Sequence, residues 1–157
     1  MMKLPKESQL SREQRAVCFA KSEGTCLVIG PPGSGKTVVA HYRSQRLREQ
    51  EQHVTLMMFN NVLSRYTGDS RTFLSWLYSW WRRATESNFP KTGWDNHYDI
   101  AQEQASQLDW ENPDRLQRAH WGHAILDEAQ DFHEDAHNLL SWFLNGPPFR
   151  KHESPPS

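Results

Sequence analysis

The run Gly30-Pro31-Pro32-Gly33-Ser34-Gly35-Lys36-Thr37 constrains this chain more than any other feature. It satisfies the pattern G-x-x-x-x-G-K-[ST] at every position, and that pattern has one home: the turn between a buried strand and the start of a helix. Its flanks supply both. Thr25-Cys26-Leu27-Val28-Ile29 is a short apolar run with β-type residues, predicted as a strand buried on both faces. A helix is predicted from Lys36 to about Gln50. In such a turn, glycines let backbone N–H groups face inward around phosphate oxygens, and the following helix presents its positive end to the same anion. Lys36 then reaches the β- and γ-phosphates, and the Thr37 hydroxyl ligates magnesium. A chance Gly/Pro-rich match is the competing explanation, and the flanking strand and helix weigh against it.

Elsewhere, apolar periodicity predicts a helix over 11–22, with Ala16, Val17, Phe19 and Ala20 as its apolar positions and Ser11 to Gln14 as a capping box. A second buried strand covers 54–59 and a short helix 62–66. Phe73, Leu77, Trp80 and Trp81 form an apolar stripe on a helix over 71–83. Residues 84–96 read as loop, 98–108 as helix, 124–126 as a third strand and 133–144 as a closing helix. Residues 145–157 hold four prolines and read as a disordered tail, and residues 1–9 as a flexible start. Buried strands alternating with helices predict an α/β fold with a parallel sheet.

The bulk composition limits the remaining possibilities. At 157 residues the chain is one domain's worth, and its formal net charge of −1 excludes a whole-protein basic field. Cys18 and Cys26 fit neither a metal spacing nor a disulfide framework and read as reduced core thiols. The sequence has no apolar run suited to a signal peptide or a membrane span, which predicts a cytoplasmic location and no membrane partner. Most of the seven tryptophans read as core. Arg43, Arg46 and Arg48, with Glu49 and Glu51 beside them, read as a solvated face.

A second acidic feature follows the third strand. Ile125-Leu126-Asp127-Glu128-Ala129-Gln130-Asp131 puts two carboxylates at a strand's carboxyl end, where open α/β sheets bind ligands. Asp127 is placed to hold magnesium, and Glu128 to orient and deprotonate an attacking water. The plain alternative is that these acids decorate the N-terminus of the next helix.

Four stretches together resemble the first RecA-like motor lobe of superfamily I helicases of the UvrD/Rep type. Leu10-Ser11-Arg12-Glu13-Gln14-Arg15 is similar to that family's glutamine motif, and residues 30–37 to its first motif. Residues 54–66 followed by Thr72-Phe73 are similar to the motifs that touch single-stranded DNA, and Asp127-Glu128-Ala129-Gln130-Asp131 matches the second motif letter for letter. The resemblance covers roughly residues 10–144, with 85–120 as a small helical insertion. It implies a P-loop NTPase fold, a three-layer α/β sandwich around a parallel sheet, with ATP and magnesium as cofactors. It further implies nucleotide contacts by Gln14, Gly30, Pro31, Gly33, Ser34, Gly35, Lys36, Thr37 and Gln130, metal contacts by Thr37 and Asp127, and catalysis by Glu128 and Lys36. Gln14 would read the adenine edge, against the plainer possibility that it only closes the capping box. Phe59, Asn60 and Thr72 would line a path for single-stranded DNA or RNA, although Phe59 also reads as the last core residue of its strand. The remaining helicase lobes or another protein would be partners.

Leu74 departs from the histidine common there in that family. More importantly, the third motif and second lobe are absent from these residues, and so is the strand that separates the phosphate-loop strand from the Asp127 strand. The expected fold is therefore incomplete. The sheet must close up by one strand or leave edges unpaired, giving a weak or inactive ATPase. Two other readings stand beside this one: a small P-loop nucleotide kinase or phosphotransferase, and a non-enzymatic interaction module that keeps the loop.

Overall fold

The computed structural model describes residues 4–21, 26–58, 70–90 and 97–146. Phe59, Asn60, the helix predicted over 62–66, Trp94 and the tail from Pro147 onward lie outside them. The chain divides into two compact units, Met1–Trp76 with Trp121–Asp131, and Leu77–His120 with Phe132–Ser157.

The first unit is built on a three-stranded, all-parallel sheet. Strand β1 (Val54–Met58) lies between β2 (Ser70–Thr72) and β3 (His123–Asp127). In register, Val54 faces His123 and Met58 faces both Thr72 and Asp127. Leu56, Met57 and Met58 are buried on both faces, as a central parallel strand requires. Helix α2 (Lys36–Glu49) packs on β1 and β3, burying Val39 and Leu47. Helix α1 (Arg12–Cys18) packs against α2 through Leu10, Cys18 and Val39. The fold is α/β with a parallel sheet, as the alternation of elements predicts.

The structure departs from three local expectations. Residues 26–30 form no strand, and Leu27 and Ile29 are 79% and 85% exposed. An apolar run becomes a strand only where a neighbour completes its hydrogen-bond ladder. Strand β3 pairs with β1 on one side, and no described strand pairs with residues 26–30. Helix α1 ends at Cys18, well short of Ser22, and leaves Ala16 and Phe19 exposed. Nor do the arginines of α2 form a solvated face. Arg43 donates to the carbonyls of Val17, Ala20 and Lys21 (2.9–3.1 Å), closing the end of α1, and Arg46 lies 4.1 Å over the Phe19 ring.

Two unlike cysteines follow from this packing. Cys18 is buried and its thiol is pushed above the usual range, chiefly by desolvation, whereas Cys26 is exposed. Iodoacetamide at neutral pH is therefore expected to modify Cys26 alone in the native protein and both cysteines in urea. Mass spectrometry of the labelled peptides checks this, and rapid native labelling of Cys18 would contradict it.

The second unit is helical. It takes in the later turns of α3 (Phe73–Thr85), then α4 (His97–Ser106), α5 (Pro113–Ala119) and α6 (Glu134–Asn145). Trp80 is fully buried, donates Nε1–H to the Ala119 carbonyl (2.7 Å), and meets Trp110 and Phe143 at ring separations of 6.3 and 4.4 Å. Trp76, Trp80, Trp81, Trp110 and Trp121 are all buried, in keeping with their reading as core. Helix α3 starts two residues later than predicted, because Arg71 and Thr72 belong to β2, and it runs on to Thr85. Helix α5 was not expected. Its signal was present in Asn112, whose Oδ1 accepts from the N–H of Asp114 and Arg115, followed by proline at the first helical position.

Candidate nucleotide site

Residues 30–35 form the turn into α2. The Ser34 N–H donates to the Pro31 carbonyl (3.2 Å), and Gly35, at φ 83°, is the left-handed residue from which the helix starts. A side chain at Gly35 would be strained by that φ, and its Cβ would lie 2.6 Å from Gln14 Nε2. Glycine is needed there on both counts. The first turn of α2 has no side-chain cap, so its N–H groups remain available to an acceptor from outside the helix. Lys36 Nζ donates to the carbonyls of Gly30 (2.9 Å) and Pro31 (3.0 Å), which keeps the ammonium within the loop.

Gln14 is bonded to this loop. Its Nε2 donates to the Ser34 carbonyl (2.9 Å), while its Oε1 accepts the Ser11 N–H (2.8 Å), completing the capping box of α1. The side chain therefore caps its own helix and ties it to the phosphate loop, a link that no sequence signal disclosed.

The acidic segment lies at the carboxyl end of β3. Asp127 is buried at 4% exposure. Its Oδ1 accepts the Glu128 N–H (3.1 Å), and its Oδ2 is buried without a hydrogen-bond partner among the described residues. A buried carboxylate oxygen without a partner is costly unless a cation or a donor is supplied to it. Magnesium with its water shell fits this donor set. It needs only one or two protein ligands when phosphates provide the rest, and no group of three His, Cys, Asp or Glu side chains suited to a caged metal occurs among the described residues. Glu128 has φ 53°, a left-handed backbone uncommon for its type, and its carboxylate accepts from the exposed Gln130 amide. The turn continues as a short 3₁₀ segment, Ala129–Asp131, so these acids are not the N-cap of α6, which starts only at Glu134.

The register brings a third group to the same edge of the sheet. Thr72, Met58 and Asp127 form one row across β2, β1 and β3 at their carboxyl ends. At the usual strand spacing, Thr72 and Asp127 are about 10 Å apart. The Thr72 hydroxyl accepts from Ser75 N–H (3.2 Å), at the start of α3.

A phosphate-type loop leading into a helix, a parallel sheet, and an acidic strand end in the same unit define a P-loop NTPase domain. The family model for the AAA domain matches residues 20–154, and the chain belongs to that family. No curated protein and no solved structure matches it. P-loop NTPases of this kind generally bind ATP with magnesium. No helix among the described residues is long and apolar enough to cross a membrane.

Proposed function

We propose that this chain is an ATP- and magnesium-binding motor lobe of the superfamily I helicase type, which engages single-stranded nucleic acid. The buried, unpartnered Oδ2 of Asp127 carries the nucleotide part of this reading, because it belongs to the same unit as the loop of residues 30–37. In the proposed site the loop N–H groups and Lys36 hold the triphosphate. Thr37 and Asp127 hold magnesium, which offsets charge on the β- and γ-phosphates. Glu128 orients water, with Gln130 fixing its carboxylate. The row at the strand ends supports the nucleic-acid part. Thr72 sits in line with Asp127 at the carboxyl edge of the sheet, and Phe59 and Asn60, which follow Met58 in the sequence, are proposed to join it in contacting a single strand.

A lobe of this kind taken alone is expected to hydrolyse ATP slowly and to unwind no strands, since translocation of the helicase type needs two lobes closing on ATP. The test uses a fluorescent oligo-dT and the purified chain. Anisotropy is expected to report binding that weakens as salt rises, with a several-fold change in affinity on adding Mg·ATP. No oligonucleotide binding at low salt would end the helicase reading and leave the nucleotide site standing. ATP turnover stimulated more than about tenfold by oligo-dT would refute the slow-hydrolysis part.

A further inference from the structure

We infer that Gln14 is a positioning residue for the phosphate cradle, holding the Ser34–Gly35 peptide in the orientation that phosphate binding uses. The inference rests on the reading of residues 30–37 as a triphosphate cradle.

The Gln14 amide is engaged at both ends. Oε1 accepts the Ser11 N–H at 2.8 Å and Nε2 donates to the Ser34 carbonyl at 2.9 Å, and the residue is half-buried. The first bond fixes the side chain to its own helix, so the second transmits the position of α1 to the loop. A trans peptide points its C=O and N–H in opposite directions. With the Ser34 carbonyl pinned toward α1, the Gly35 N–H faces away from α1, and it is spent on no backbone acceptor among the described residues. That N–H belongs to the Gly-Lys-Thr stretch whose donors surround phosphate in a loop of this pattern. Close contact fixes the arrangement further, since a Cβ on Gly35 would lie 2.6 Å from Gln14 Nε2. Helix α1 is in turn held against α2 by Leu10, Cys18 and Val39, so the bracket has a fixed base.

This role differs measurably from base recognition. Reading adenine takes one amide donor and one acceptor, and its loss would weaken ATP while leaving a ligand without a base untouched. Positioning the loop acts on the phosphates alone. The experiment measures binding of Mg·ATP and of magnesium tripolyphosphate by calorimetry, in the full chain and three variants. Gln14→Met is neutral and makes neither bond. Gln14→Glu keeps an acceptor for the Ser11 N–H but has no donor for the Ser34 carbonyl. Ser11→Ala loses the hydroxyl half of the capping box while leaving both Gln14 side-chain bonds in place.

Both Gln14 variants are expected to bind ATP and tripolyphosphate about fivefold more weakly, by the same factor for each ligand, as the loss of one hydrogen bond implies. Ser11→Ala is expected to melt at a lower temperature and yet bind tripolyphosphate within about twofold of the parent. A loss confined to ATP would overturn the inference in favour of adenine reading. Unchanged affinities in both Gln14 variants would overturn it in favour of a helix cap alone. If the parent chain binds neither ligand, the cradle reading itself fails and this inference with it.

Discussion

Alanine at Lys36 is expected to lower the affinity for Mg·ATP by about 100-fold, or about 2.7 kcal/mol. The ammonium is the one side-chain charge in the loop and would make charge-assisted bonds to the phosphates, each worth roughly twice a neutral bond. It also braces the loop through the Gly30 and Pro31 carbonyls, so alanine removes the charge and loosens the cradle together. Stability is expected to change little. A cation at the first position of a helix opposes the macrodipole, and alanine is the better helix former, which offsets the lost contacts. Calorimetric titration and a thermal melt separate the two effects. Unaltered ATP affinity would remove the loop from the binding site, and a melt lowered by more than about 10 °C would assign Lys36 to folding instead.

Gly122→Ala is expected to cost at least about 3 kcal/mol of stability, lowering the melting temperature by roughly 10 °C. Gly122 precedes β3 with φ 71°, and a Cβ there would stand 2.1 Å from the His53 carbonyl oxygen. That oxygen accepts the His123 N–H (2.8 Å), the contact that leads β3 into register with β1 at Val54 and His123. The backbone cannot yield without slipping the pair that places Asp127. Gly33 supplies the control: its φ is 79° but nothing lies within 4 Å of its would-be Cβ, so Gly33→Ala is expected to cost only about 1 kcal/mol of backbone strain. Equal melting temperatures for the two variants would show that the His53 contact is not limiting.

The chemistry-bearing parts of this fold were legible in the sequence because they are local. The phosphate loop is a contiguous string that leads directly into a helix, and the helix formed although the strand expected before the loop did not. The apolar stripe on α3 and the strand ending at Asp127 declare themselves by period and by apolar run. Residues 26–29 mislead for the complementary reason. Their composition says strand, yet a strand exists only through its neighbours, and pairing is not written in the run itself. Gln14 and Arg43 show the same limit from the polar side. Each reads locally as a cap or a surface charge, while its function in the fold is a hydrogen bond to backbone 20 or more residues away. The left-handed Glu128 also left no trace, since glutamate rarely adopts that conformation. The sequence marks Asp127 as an acid at a strand end, but its burial and its unpartnered oxygen arise only from the packing of β3 against β1.

Direct titration of the purified chain with ATP, with ATP in the presence of EDTA, and with AMP in magnesium reads out the triphosphate site itself. Saturable one-to-one binding of Mg·ATP is expected, weakened when magnesium is removed and lost when the β- and γ-phosphates are absent. Equal binding of AMP and ATP, or no binding of Mg·ATP at millimolar concentration, would contradict a triphosphate site built from residues 30–37 and Asp127.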